Sequence, residues 1–271
     1  MNGLSLLFVR NHRKWDCVRE IILNRPNKRN ALTLSMWAHL RELIEECNSD
    51  KSVRVIVLRG VDASAFSAGA DIAEFPNSRS NLEQARIHKS VTDGVTDSLA
   101  HVRPITISAI SGYCFGGGIQ IASACDFRIA DNSAVFALTP IKLGFVYGLY
   151  ETSLLVRLIG ESHAKELLYT GKRIDAAKAL SYGFLNDVLN HSNDETLFDD
   201  FVDKHIAELL EAAPSAQQAM KKMFSLLQDK KQLLNVNQQA QSLEDKAFVG
   251  WEYKEGVTAF LEKRKPTYYG D

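Results

Sequence analysis

AISGYCFGGGIQIASACDFRIAD, Ala109 to Asp131, reads as a strand that runs into three consecutive glycines and then an apolar helical run. At a helix start the first backbone N–H groups have no intrahelical acceptor and sit at the positive end of the dipole. Glycine removes every Cβ there, so an anion or a polarised oxygen can approach the bare amides of Gly116, Gly117 and Gly118. A glycine turn that merely packs helix on strand has the same sequence, and this motif alone leaves both readings open. A second stretch, AFSAGADIAEF from Ala65 to Phe75, follows another strand and sets Ser67, Ala68, Gly69 and Ala70 before a candidate helix start. It too can present bare amides.

Outward from these loops, short β-branched runs alternate with helical patterns. VREIIL (Val18 to Leu23), VRVIVLRG (Val53 to Gly60) and ITISAIS (Ile105 to Ser111) read as strands of a covered sheet. Leu34, Trp37, Leu40, Ile44 and Cys47 recur at three- and four-residue spacing between Thr33 and Asn48, an amphipathic helix that Thr33 or Ser35 can cap. A polar stretch, Pro76 to Ser80, precedes a helix from Leu82 to His101 that Pro104 closes. Beyond Asp131 the pattern is mainly helical, with helices expected at Gly148 to Ile159, Ser162 to Tyr169, Asp175 to Tyr182, Asn193 to Ala212, Ser215 to Gln228, Gln232 to Phe248 and Tyr253 to Lys263. The expected class is α/β, with a core over 1–192 and a helical region over 193–271.

The 271 residues are 45% hydrophobic and 24% charged, proportions of a globular chain rather than of a disordered or disulfide-stapled one. Lys and Arg total 32 against 33 Asp and Glu, a net charge of −1, so no basic field exists to gather nucleic acid, and none is expected as a partner. Cys17, Cys47, Cys114 and Cys125 form no CxxC pair and read as core fillers in a reducing compartment. The apolar run Leu6 to Val9 is short and followed, not preceded, by basic residues, and no run reaches the roughly 18 apolar residues of a membrane span. A cytoplasmic protein without a membrane partner is the expectation. No His/Cys/Asp spacing suggests a metal.

Five segments in order, NRPNKRNAL (Asn24 to Leu32), AFSAGADIAEF, GYCFGGGIQIASACDFRIAD, TPIKLG (Thr139 to Gly144) and FLEKRKP (Phe260 to Pro266), resemble the crotonase superfamily, also called the enoyl-CoA hydratase and isomerase family. The resemblance implies a spiral of ββα turns with a C-terminal helical region that trimerises, giving a trimer or a dimer of trimers. It further implies that the amides of Ala70 and Gly117 hold the thioester oxygen of an acyl-CoA while an enolate forms. Coenzyme A enters as part of the substrate, so no separate cofactor is expected. By the same likeness Arg25 and Lys28 meet its phosphates and the backbone of Ala68, Asp71 and Ile72 its adenine, with Arg29, Lys263, Arg264 and Lys265 as weaker candidates. Asp71 and Asp126 also read as loop-ordering or capping residues, and His88 and His101 fall on the helix that covers the acyl pocket in the family.

The sequence departs from the hydratases of that family where they carry acids. Hydration needs one carboxylate to take a proton from water and another to deliver one to carbon. Gln120 and Pro140 stand at those two positions, and neither titrates usefully near neutral pH. TPIKLGFVYG (Thr139 to Gly148) and FLEKRKP are more similar to methylmalonyl-CoA decarboxylases, in which a tyrosine at the position of Tyr147 contacts the departing carboxylate. That likeness would also place a histidine at Ala70 and a glutamate at Gln120. Decarboxylation starts without a base, and the enolate it leaves then takes a proton from Tyr147, water or Glu151. Glu151 lies one turn beyond Tyr147, and it reads equally well as an exposed first-turn acid. The expected activity is decarboxylation of a malonyl-type thioester, with two alternatives: an enoyl-CoA hydratase or isomerase with a non-standard acid/base, or a degenerate acyl-CoA-binding protein.

Overall fold

The computed structural model describes residues 5–190, 195–226, 241, 245 and 248–266. Strands Leu7–Asn11 (β1), Val18–Leu23 (β2), Val55–Gly60 (β3), Ile105–Ile110 (β5), Phe127–Asp131 (β7) and Asp187–Leu189 (β10) form a sheet in the order β1-β2-β3-β5-β7-β10. Only the β1–β2 pair is antiparallel. Every residue of β5 is buried, as in a strand covered on both faces.

Each of β3, β5 and β7 is followed within a few residues by a three-residue strand: Ala65–Ser67 (β4), Tyr113–Phe115 (β6) and Val135–Ala137 (β8). Those three, with Arg173–Asp175 (β9), make a second sheet in the order β4-β6-β8-β9. A helix then returns the chain: Leu82–His101 after β4, Gly117–Ala124 after β6 and Leu149–Thr170 after β8. This is the ββα spiral that the family likeness implies. The two sheets and Leu34–Ser49, which we call α1, enclose a core of Trp37, Leu40, Ile44, Phe66, Ile121 and Phe136. On the outer face of the larger sheet, Phe198, Val202 and Ile206 of the helix Glu195–Glu211 pack on Val55, Ile107 and Ile129.

Most expected helices fall within two residues of their places. Thr33 caps α1 by accepting from the Met36 amide at 3.2 Å, and the break expected near residue 160 is Gly160, at φ 73°. The expected helix Gln232 to Phe248 lies mainly outside the described residues. Beyond Asp131 the chain is less purely helical than its pattern, since β8, β9 and β10 interrupt it. Strands of three residues are too short to display the alternation by which strands are read. Cys47, Cys114 and Cys125 are buried as expected, and Cys17 is half-buried. Among the described residues no helix is long and apolar enough to cross a membrane.

Candidate active site

The loop after β4 is fixed from one side. The Leu32 amide donates to the Gly69 carbonyl at 2.7 Å and the Asp71 amide to the Leu32 carbonyl at 2.8 Å, gripping the backbone on both sides of Ala70. Between two such bonds the intervening N–H points away from the partner strand. Asn30 braces the same loop: its Nδ2 donates to the Ala65 carbonyl at 2.7 Å, and its carbonyl accepts from Ser67 Oγ at 2.8 Å. Asn30 itself is fully buried at φ 53°, a left-handed conformation that asparagine tolerates.

Gly117 opens the helix that follows β6, and its N–H is one of the first-turn donors that no helical carbonyl can reach. A Cβ built on Gly69 would lie 2.7 Å from the Gly117 nitrogen, and one built on Gly117 would lie 3.3 Å from the Ala70 nitrogen. The two glycines therefore let the loops approach until the Ala70 and Gly117 amides adjoin. Neither amide donates to a backbone carbonyl among the described residues. Two unpaired donors on one wall, one at the positive end of a helix, suit an oxygen that gains negative charge.

Ala70 and Gly117 both line a cleft with Trp37, Ala68, Ile72, Gln120, Tyr147 and Glu151, and further with Arg79, Lys89 and Pro140. The structure thus gathers Ala68, Ala70, Ile72, Gly117, Gln120, Tyr147 and Glu151 around one space. It does not bring Arg25, Lys28 or Asp71 to that lining. Arg25 Nη1 pairs with Asp71 Oδ2 at 2.7 Å, Asp71 also accepts from the Ala73 amide at 3.1 Å, and Lys28 is exposed on the turn Pro26–Lys28. Asp126 accepts from the Thr106 amide at 2.8 Å and from Lys221 at 2.6 Å, a loop-ordering place. His101 is exposed beside Asp97, and Arg264 pairs with Glu255 and Glu262.

Glu151 is not an exposed first-turn acid. It is 8% exposed, accepts from Gln120 Nε2 at 3.3 Å, and stands 3.8 Å from Lys89 Nζ. Burial pushes its carboxyl up to about 8, and Asp93 adds to the rise through a hydrogen bond that only a protonated Glu151 can donate. Lys89, bound to Asp93 at 2.8 Å, offsets only part of this. At neutral pH this acid is therefore mostly uncharged. The Tyr147 hydroxyl, 3.9 Å from where a Gly116 Cβ would stand, is held in its neutral form chiefly by burial and then by Glu151.

Two residues of this cleft have no local signal in the sequence. Arg79 lies inside the stretch read as polar, yet its guanidinium is 4.2 Å from the Phe75 ring and 5.2 Å from the Phe145 ring. Lys89 is one cation among many on a helix surface until Asp93 and Glu151 meet it.

Residues 13–271 match the family described as enoyl-CoA hydratase/isomerase. The chain belongs to the enoyl-CoA hydratase/isomerase family. Among curated relatives, (E)-benzylidenesuccinyl-CoA hydratase of Thauera aromatica is 34% identical over 97% of this chain and 98% of its own. Crotonyl-CoA hydratase of Syntrophomonas wolfei is 32% identical over 92% and 93%. Among solved structures, a methylmalonyl-CoA decarboxylase in complex with 2-nitronate-propionyl-CoA superposes with a TM-score of 0.86 at 28% identity, covering 99% of this chain and all of that one. An enoyl-CoA hydratase/carnithine racemase of Magnetospirillum magneticum gives 0.78 at 30%, covering 99% and 97%. As a member of this enoyl-CoA hydratase/isomerase family, the chain is an acyl-CoA enzyme. The curated names favour hydration over the decarboxylation expected from the sequence.

Proposed function

We propose that the protein is a lyase that draws an acyl-CoA thioester oxygen onto the Ala70 and Gly117 amides, holds the enolate formed there, and returns a proton to C2 from Glu151. Decarboxylation of a malonyl-type thioester asks least of this site. The bond from C2 to the carboxyl carbon breaks, its electron pair enters the enolate, CO2 leaves, and the Glu151 proton moves to C2, to be replaced from solvent. No base begins the reaction, and Gln120 and Pro140 supply none. The observation that carries this reading is the Glu151 carboxyl buried in the cleft wall 3.3 Å from Gln120 Nε2: burial favours its protonated form, which can donate a proton and does not repel an anionic acyl group. We assign the coenzyme A portion to the backbone of Ala68 and Ile72 and to the exposed Lys28, with Arg25 and Asp71 holding that loop. Exposed Met220, Met223 and Phe224 support self-association through the C-terminal helices.

A second reading, hydration of an enoyl-CoA, has the names of the curated relatives behind it. An acid that titrates near 8 can serve as base and acid in turn on one water. Offering methylmalonyl-CoA and crotonyl-CoA in separate assays decides between them. Release of propionyl-CoA from the first with no loss of the enoyl absorbance of the second is the expected result. Rapid hydration of crotonyl-CoA without decarboxylation would overturn the first reading in favour of the second, and tight binding with no turnover of either would leave an acyl-CoA-binding protein.

A further inference from the structure

Among the described residues three cations line the cleft, and two are already paired: Arg86 with Asp245, and Lys89 with Asp93 at 2.8 Å. Arg79 has no carboxylate among the described residues. One of its terminal nitrogens, Nη2, donates to His88 Nδ1 at 2.9 Å, while Nε is buried with no partner. His88 is 2% exposed, and burial together with the Arg79 charge pushes it down to about 3, so it stays a neutral acceptor. The Phe75 and Phe145 rings, packed edge to face with each other, lie 4.2 and 5.2 Å from the guanidinium and attract it without offering a lone pair. A half-buried guanidinium with a buried, unpartnered Nε is costly unless a ligand completes it.

Two tyrosine hydroxyls feel the same charge, and Tyr147 lines the cleft with Arg79. Tyr253 is 6% exposed, and its hydroxyl is buried without a partner. Burial lifts its pKa to about 12, keeping the proton that makes it a donor, and Arg79 partly counters that rise. Tyr147 also feels the Arg79 charge, and its hydroxyl lies beside Gly116, one residue from the Gly117 amide. The three groups come from three separate segments, and every one of them is a donor. What fits a guanidinium fork with a hydroxyl on the same cleft wall is a planar carboxylate.

We propose that Arg79, with the Tyr147 hydroxyl on the same cleft wall, anchors a free carboxylate on the acyl group of the substrate, so that the cleft selects carboxylated acyl-CoA thioesters over their uncharged counterparts. The inference rests on reading the cleft as an acyl-CoA site, and it holds whichever bond is then broken there. Gripping a carboxylate in the ground state raises affinity without by itself raising turnover, so Arg79 is a specificity residue.

Methylmalonyl-CoA and isobutyryl-CoA differ by a carboxylate in place of a methyl group, and stopped-flow mixing reads their dissociation constants ahead of any turnover. The expected result is wild-type binding of methylmalonyl-CoA at least about tenfold tighter, the range of a hydrogen bond to a charged group. In Arg79→Met the ratio of the two constants falls to near one. In Arg79→Lys, which keeps the charge and loses the fork, it lies between, and Tyr147→Phe narrows it too. Should Arg79→Met not fold, the last two variants carry the test. An equal ratio in wild type and variants, or a wild-type preference for isobutyryl-CoA, overturns the anchor alone. Wild-type protein that binds neither thioester overturns the acyl-CoA reading together with it.

Discussion

The two walls of the cleft are made of different material. One is main chain: the Ala70 and Gly117 amides, brought together by Gly69 and Gly117 and gripped from behind by Leu32 and Asn30. The other is side chain: Gln120, Pro140, Tyr147, Glu151 and Arg79, projected from four separate segments. A main-chain donor survives almost any substitution at its own position, because the N–H belongs to the backbone. The side-chain wall changes with every substitution and can acquire a new reaction without disturbing the first. Gln120 and Pro140 stand where the family resemblance would place two carboxylates, and Glu151 is buried within hydrogen-bond reach of Gln120.

Removing a donor from the main-chain wall is the strongest way to break that contrast. Any side chain at Gly117 meets Trp37 Cζ2 at 2.7 Å, which would confuse lost chemistry with lost packing. Ala70→Pro is cleaner, since it deletes an N–H that no backbone carbonyl uses among the described residues. Turnover of whichever thioester proves to be the substrate should fall about 10²- to 10³-fold, the effect of losing about 2.7–4 kcal/mol of oxyanion stabilisation. The melting temperature should move by only a few degrees. An active Ala70→Pro enzyme would show that this wall holds no charge.

The side-chain wall should yield a smaller loss and a different signature. Glu151→Gln removes the proposed proton donor, and turnover should fall by about a hundredfold, the lower end for general acid catalysis because water can replace it. The pH dependence is the sharper reading. The donor must be protonated, so wild-type turnover should hold below pH 8 and decline as the pH rises through about 8, where Glu151 loses its proton. Stopped or coupled assays between pH 6 and 9 should show that decline in wild type and a flat profile in Glu151→Gln. The same decline in both would assign the titration to another group, with Lys89, Asp93 and Tyr147 the ones that face it.

The contrast also explains what the sequence discloses. The main-chain wall is legible because its requirements are local: glycines at a helix start and small residues in a loop announce bare backbone wherever they occur. Strands β2, β3 and β5 of the larger sheet and most helices are legible because their patterns run for six residues or more. The second sheet is not, since its strands have three residues each. Arg79 escapes, and Glu151 is left evenly between a proton donor and an exposed acid, for another reason. A polar residue in a polar stretch, or an acid in a first helical turn, is ordinarily solvated. Only tertiary packing, which sets Phe75 and Phe145 around Arg79 and folds Asp93 and Lys89 onto Glu151, makes either unusual.

The smallest effect separates building the main-chain wall from working in it. Asn30 touches no part of the cleft lining, yet its side chain ties two strands of backbone: Oδ1 accepts from the Arg25 amide at 2.8 Å and Nδ2 donates to the Ala65 carbonyl at 2.7 Å. Asn30→Ala strands both partners in a buried place and forces alanine into a left-handed conformation. Each unsatisfied group costs about 1–3 kcal/mol. The melting temperature should drop by roughly 2–4 °C for each kcal/mol lost in a protein of this size. If the loop behind Ala70 is held mainly by the two Leu32 bonds, turnover measured well below the new melting temperature should fall less than tenfold. A large loss of turnover in a still-folded Asn30→Ala protein would mean that the amide direction at Ala70 depends on this brace, and that the main-chain wall is less independent of side chains than its glycines suggest.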